Sequence, residues 1–114
     1  MKVFRFVNAA AKREFSKLPK DIQQLFATSL NAVAQEQDPL VDFKHIASSV
    51  GKGAIELIEN GSPAYRAVYC AQFGDTIFLL HSFVKTTNGV DKKAMNTAKQ
   101  RYKDMMDIVK KEGL

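Results

Sequence analysis

The chain has 114 residues, of which 46% are hydrophobic and 25% charged, values typical of one globular domain rather than of a disordered segment. A single cysteine, Cys70, excludes an intramolecular disulfide, and no apolar run is long enough to cross a membrane. The net charge of +5 arises at the two ends, because acidic residues outnumber Lys and Arg only in the middle of the chain. We therefore expect one cytoplasmic domain whose positive field attracts a polyanion or an acidic protein.

The N-terminal third predicts a strand followed by a helical hairpin. Residues 2–7 are rich in β-branched and aromatic side chains, which favour a strand, and polar residues break the apolar run that a secretory signal requires. Asn8 is a suitable cap for a helix that continues to about Leu18, where Pro19 interrupts it. Apolar residues then recur at helical spacing over residues 21–37, which predicts a second helix.

The middle of the chain predicts a connector and then three consecutive strands. Residues 40–53 contain several glycines and serines and are expected to be the connector. Strands are predicted over residues 54–59, 65–73 and 76–85, separated by turn signals at residues 60–63 and 74–75. Because these turns are short, the three strands should form an antiparallel meander.

The C-terminal residues predict a long helix from Asp91 to about Lys111, with Gly113 beyond its end. Its apolar residues share one face, which should pack on the sheet: Ala94, Met95, Ala98, Tyr102, Met105, Met106 and Val109. The element order is thus β-α-α-β-β-β-α over a single domain of residues 1–114. This order predicts an α+β fold with a curved, mainly antiparallel sheet, an N-terminal helical hairpin and a C-terminal helix.

The last predicted strand changes character along its length. Its first half has apolar residues on both faces and is expected to be buried on both sides. In its second half, His81, Phe83 and Lys85 share one face by the two-residue period. An imidazole that moves protons, a ring that stacks on a base and an ammonium that binds phosphate would suit an RNA surface. They equally fit a core histidine, a core phenylalanine and a solvated lysine at a strand end.

Arg66 and the lysines of the last helix can each be interpreted as structural or as RNA-binding residues. Arg66 lies in an apolar strand and needs an anionic partner, which could be Glu56 on the preceding strand or a phosphate. On the last helix Arg101 falls at the edge of the apolar face and points inward. A stripe of lysines, which includes Lys99 and Lys103, lies away from that face and is either a solvated surface or an RNA contact. Histidines and the cysteine lack metal-ligand spacing, and Cys70 is expected to be a small buried residue.

Four motifs occur together in the second half of the chain. They are G-A-I-E-L at residues 53–57, A-Y-R-A-V-Y at 64–69, I-F-L-L-H-S-F-V-K at 77–85 and A-x-x-R at 98–101. In this order they resemble the RelE/ParE toxin superfamily, in particular its HigB-like, phage-derived branch. The resemblance covers somewhat under half the chain in detail, and the predicted element order is also that of the family.

The resemblance implies a toxin of a type II toxin–antitoxin system that cleaves messenger RNA on the ribosome, without metal or cofactor. Our hypothesis for such a site is that Arg66 and Lys85 stabilise the phosphate, that His81 transfers a proton and that Arg101 assists positioning. Phe83 or Tyr65 would stack on a base. The resemblance also implies a cognate antitoxin, commonly a helix-turn-helix protein. The chain would then contact DNA only through this partner, and no membrane binding is expected.

Departures from the family pattern leave two alternatives open. Thr86 occupies a position where the family usually has a second lysine. The family motif E-L-R is E-L-I here, because Ile58 replaces the arginine. Before the last helix, Val90-Asp91 replaces Thr-Pro or Ser-Pro. A degenerate toxin that only binds its antitoxin is one alternative, motivated by the missing cationic residues. A ParE-like inhibitor of DNA gyrase, which would use the same fold to bind a protein, is the other.

Overall fold

Five strands and three helices make up the computed structural model, which describes residues 2–114. The strands are β1 (Val3–Phe6), β2 (Asp42–His45), β3 (Ala54–Glu59), β4 (Ala64–Phe73) and β5 (Thr76–Lys85). The helices are α1 (Ala9–Ser16), α2 (Lys20–Ala34) and α3 (Lys92–Glu112). The strands form one sheet in the order β1-β5-β4-β3-β2, so the predicted α+β class is confirmed.

The sheet is antiparallel except at one edge. β2, β3, β4 and β5 pair antiparallel in sequence order, which confirms the predicted meander, whereas β1 pairs parallel to β5. The strand β2 falls where the sequence predicts a connector over residues 40–53, so that expectation was wrong for residues 42–45. This strand is short and mostly exposed at the sheet edge, and it therefore lacks the apolar run that marks the other strands.

β5 contains a bulge at its centre. Tyr69 of β4 pairs with Leu79, and the preceding residue Val68 pairs with His81, so Leu80 is one extra residue in β5. A bulge leaves the extra residue outside the regular ladder of hydrogen bonds and redirects the following side chain. The bulge thus brings His81 to the face that Val68 also occupies.

The two faces of the sheet carry separate cores. One face packs against α3 and includes Val68, Phe78 and Leu80, whereas the other packs against α2 and includes Leu57, Tyr69 and Leu79. The first half of β5 is therefore buried on both sides, as its sequence predicts. Helix α1 serves both clusters, since Ala11 lies in the α3-side core and Phe15 packs on the α2-side core.

The helix ends follow the capping residues. Asn8 Oδ1 accepts a hydrogen bond from Ala11 N at 2.9 Å, and Asp91 Oδ1 accepts one from Ala94 N at 3.0 Å, which confirms both predicted caps. Gly113 ends α3 with a positive φ of 70°. Helix α2 ends at Ala34, three residues before the predicted end. The predicted packing face of α3 is confirmed except at Met106, whose side chain lies outside the buried arc and is exposed.

Across residues 2–114, none of the helices combines the length and the apolar character that a membrane crossing requires.

Candidate active site

Three residues of the predicted patch lie on one face of the sheet, beside α3. Arg66 of β4 pairs directly with Phe83 of β5, and His81 is on the same face two residues earlier. The imidazole of His81 stacks on the Phe83 ring with a centroid distance of 5.0 Å and an interplanar angle of 21°. By the two-residue period Lys85 follows on this face. The predicted alignment of His81 with Phe83 is therefore present.

A carboxylate from α1 joins this patch. Glu14 Oε1 lies 2.8 Å from His81 Nδ1, and Arg101 of α3 reaches both carboxylate oxygens, with Nη2 donating to Oε2 at 2.7 Å. Arg101 Nη1 also donates to the carbonyl of the bulge residue Leu80 at 3.1 Å. This arrangement, called here the Glu14–His81–Arg101 cluster, links α1, β5 and α3. It confirms that Arg101 points inward, where its carboxylate partner is Glu14.

The cluster fixes the protonation states of its members. Burial raises the pKa of Glu14, but the hydrogen bonds from Arg101 and His81 outweigh burial, so its pKa lies below the ordinary value. Burial lowers the pKa of His81, and Glu14 only partly opposes that effect. At neutral pH Glu14 is thus a carboxylate and His81 is neutral. Because a carboxylate can only accept, the contact with Glu14 forms a hydrogen bond only where Nδ1 carries the proton, and a neutral imidazole protonated at Nδ1 leaves Nε2 as an acceptor.

His81 and Phe83 form one wall of a groove of about 210 Å³, whose other wall is the start of α3. The α3 side provides Asp91, Lys93, Ala94 and Thr97. His81 Nε2 has no hydrogen-bond partner among residues 2–114. A larger apolar pocket of about 250 Å³ lies elsewhere, between β1, α1 and α2, and its lining includes one ionisable side chain, Lys2. The groove beside His81 is therefore the better candidate for chemistry.

Arg66 has protein partners for most of its donors. Its Nη1 donates to the carbonyls of Glu59 at 3.3 Å and Tyr65 at 3.0 Å, and its Nη2 donates to Asn60 Oδ1 at 2.9 Å. Nε lies 3.9 Å from the carboxylate of Glu56, the structural partner that the sequence suggested. The guanidinium is buried, with 9% of its side chain exposed, and it holds the turn between β3 and β4. This geometry favours the structural reading of Arg66 over a phosphate contact.

Lys85 folds onto the turn that precedes α3. Its Nζ donates to the carbonyl oxygens of Thr87, at 2.7 Å, and Gly89. An ammonium has three donors, so one N–H of this half-buried side chain remains for an anion.

Three residues considered as RNA contacts lie away from the groove. Tyr65 packs on the α2-side core, on the opposite face of the sheet from Phe83. Lys99 and Lys103 are exposed, as their stripe predicts, but at 100° per residue each lies roughly 160° around α3 from Arg101. The structure therefore brings together His81, Phe83 and Arg101 and separates them from these three side chains.

Sequence reasoning missed Glu14, Lys93 and Thr97. Glu14 follows the buried Ala11 by three residues and precedes the buried Leu18 by four, so it lies on the inward stripe of the N-terminal segment. An acid at such a position signals a buried partner. Lys93 and Thr97 are four residues apart and thus neighbours on α3, but nothing in the sequence indicates which strand they face.

Cys70 is buried in the α3-side core, and burial raises the pKa of its thiol, which confirms its expected role as a small buried residue. Within the described part of the chain, His, Cys, Asp and Glu side chains form no group of three or more suited to a metal ion.

Comparison with known proteins gives one family. A family model described as phage derived protein Gp49-like (DUF891) matches residues 13–103. The matched segment begins in α1 and ends in α3, so it includes all three members of the Glu14–His81–Arg101 cluster and the groove. No curated protein matches the chain.

Proposed function

This chain belongs to the Gp49-like, phage-derived family, a RelE/ParE-like toxin–antitoxin family, and we propose that it is a toxin that cleaves messenger RNA. The observation that carries this proposal is the position of His81, which contacts Glu14 and stacks on Phe83 at the wall of a groove. A neutral imidazole with one open ring nitrogen is suited to accept a proton near pH 7. Binding a protein such as gyrase would not require this arrangement.

The proposed reaction uses the ribose of the RNA as the nucleophile. The 2′-oxygen forms a bond to the adjacent phosphorus and the bond from phosphorus to the 5′-oxygen breaks, which leaves a 2′,3′-cyclic phosphate and a 5′-hydroxyl. His81 Nε2 accepts the proton of the 2′-hydroxyl, the leaving 5′-oxygen takes a proton from water, and the imidazolium returns its proton to the hydroxide so formed. No metal or redox cofactor takes part in this scheme.

Charges around the groove suit a phosphodiester. Lys93 lines the groove, and the free N–H of Lys85 is available at the end of the same strand face. Both would stabilise the negative charge that develops on the phosphate oxygens. The second face of the Phe83 ring could stack on a base, whereas Arg66 supports the site by holding the β3–β4 turn.

The proposal extends to partners outside the groove. We place the chain on the HigB-like branch because of its L-H-x-F-x-K and A-x-x-R motifs, and we expect an adjacent helix-turn-helix antitoxin. Lys99 and Lys103 would contact ribosome-bound RNA outside the groove, as expected for an exposed basic stripe. An acidic segment of the antitoxin would compete with RNA for Lys93 of the groove and for the basic stripe.

A comparison of the two histidines tests the proposal. Induction of the wild-type chain should arrest growth and create new 5′ ends within messages, and His81→Asn should abolish both. His45→Asn is the matched control, because His45 is exposed on the edge strand β2 and should leave toxicity intact. Intact transcripts together with cleaved DNA would instead indicate gyrase inhibition. Absence of any growth defect would indicate a chain that only binds its antitoxin.

A further inference from the structure

We propose that Glu14 is the positioning residue of this site: it selects the tautomer in which His81 presents an unprotonated Nε2 to the groove. The inference deepens the proposed RNA cleavage and rests on it for its kinetic consequence. Its structural content, the tautomer of His81, can be measured whether or not the chain cleaves RNA.

The geometry assigns Glu14 to His81 rather than to Arg101 alone. Oε1 lies 2.8 Å from His81 Nδ1 and also accepts an N–H of Arg101, while Oε2 accepts a second N–H of Arg101 at 2.7 Å. A bidentate arginine holds a carboxylate in one plane and one orientation. Arg101 is itself fixed, because Nη1 also donates to the Leu80 carbonyl at the bulge. The acceptor for Nδ1 is thus held from two elements.

A second Arg–Glu pair in the protein has the same geometry without the imidazole. Arg5 of β1 donates to both carboxylate oxygens of Glu112 of α3, at 3.0 and 3.4 Å. Those side chains are 40% and 44% exposed, whereas Arg101 and Glu14 are 12% and 27% exposed. The Glu14 pair is therefore the more strongly desolvated one. The Arg5–Glu112 pair provides a matched control.

The chemical effect of Glu14 follows from what a neutral histidine can do. In water either ring nitrogen can carry the single proton, and a proton on Nε2 would prevent that atom from accepting another. A carboxylate at Nδ1 fixes the proton there and stabilises the imidazolium that forms when Nε2 accepts a proton. The other charged groups around His81 are Arg101 and Lys93 of α3 and Asp91 at its cap, with Arg66 of β4 opposite the neighbouring Phe83. Among the charged groups of residues 2–114, only Glu14 contacts Nδ1 as an acceptor.

Nitrogen NMR of the imidazoles tests the assignment directly. The chain has two histidines, so the His81 signals are identified by their loss in His81→Asn. The wild type should show the Nδ1–H tautomer at His81. Glu14→Gln should show a mixture of tautomers or the Nε2–H form, because an amide can either accept from Nδ1 or donate to it. Glu112→Gln should match the wild type. An unchanged Nδ1–H tautomer in Glu14→Gln would overturn the proposal.

The pH dependence of cleavage separates positioning from mere stabilisation. Loss of the Glu14 charge removes an interaction that raises the pKa of His81, so the acidic limb of the rate profile should move to lower pH in Glu14→Gln. The plateau rate should fall about 10- to 100-fold, because His81 becomes a weaker base in a mixed tautomer. Glu14→Asp retains the charge and should recover part of the rate and the wild-type limb.

The outcomes distinguish this inference from the proposed function. Glu14→Gln with a wild-type limb and plateau would overturn the role of Glu14 while leaving RNA cleavage in place. Loss of rate with an unshifted limb in a folded Glu14→Gln variant would also overturn it, since that pattern indicates only a structural ion pair. A wild-type chain that cleaves no RNA would refute the proposed function, and the NMR result would still decide the assignment of Glu14.

Discussion

The two faces of the sheet differ in what they bury. Among residues 2–114, the face under α2 buries apolar side chains, and its buried polar groups are the hydroxyls of Ser29, Tyr69 and Ser82. The face beside α3 buries His81 together with the charged Glu56 and Arg66. Burying charged groups is unfavourable unless each finds a partner, and a fold gains little stability from doing so. Both faces hold an apolar core, and the α3 face also holds the Glu14–His81–Arg101 cluster beside the groove, so we assign the proposed chemistry to the α3 face.

The largest expected effect on stability lies on the α2 face. Leu79→Ala removes a fully buried side chain of β5 and leaves a cavity in the α2-side core. We expect the free energy of unfolding to fall by about 2–5 kcal/mol, measured by urea denaturation. The cleavage rate per folded molecule should stay at the wild-type value below the unfolding transition. A specific loss of rate in the folded fraction would contradict the assignment of the proposed chemistry to the α3 face.

A smaller effect, on activity alone, is expected at the groove on the α3 face. Lys93→Ala removes an ammonium that lines the groove, and the rate of RNA cleavage should fall about tenfold, as expected for one charged hydrogen bond to phosphate. The neighbouring Lys92→Ala is the control, because Lys92 is exposed and lies with the outward stripe of α3. Equal losses in the two variants would indicate a general charge effect rather than a contact in the groove.

The smallest effect concerns stability as the pH falls. The pKa of His81 is lowered by burial, so between its folded value and the ordinary 6.5 the unfolded chain binds more protons than the folded one. The free energy of unfolding should therefore decrease on acidification through this window, and His81→Gln should decrease less. Denaturation curves from pH 7 to pH 5 check this. A steeper loss in His81→Gln than in the wild type would contradict the assigned direction.

The sequence predicts the burial of β5 and the inward direction of Arg101. It does not predict that Glu14 contacts both His81 and Arg101. The two-sided burial of β5 follows from the unbroken apolar run in its first half, and the inward direction of Arg101 follows from the helical period. Glu14 escapes such reasoning because it lies 67 residues from His81 and 87 from Arg101 along the chain. Local periodicity identifies the face on which a residue lies, but not the distant residue that packs against that face.

Two further differences between the sequence prediction and the structure also arise from packing between elements that are distant along the chain. Tyr65 and Phe83 look equivalent as stacking rings in the sequence, yet the pairing of Tyr65 with Val84 and of Arg66 with Phe83 places the two rings on opposite faces. The lysine stripe of α3 is exposed as predicted, but the rotation of α3 against the sheet is set by Ala98 and Met105 in the core. That rotation directs Lys93, rather than Lys99, toward the groove.

The role of His81 in RNA cleavage is tested most directly by the chemistry of the RNA ends that the purified chain produces in a translating extract. We expect new fragments with 5′-hydroxyl ends within the translated message. These fragments should be present with the wild type and with His45→Asn, and absent with His81→Asn. Folding of all three proteins is verified by their unfolding transitions. Intact message with the wild type, or equal cleavage by wild type and His81→Asn, would contradict the assignment of His81 as the group that accepts the proton.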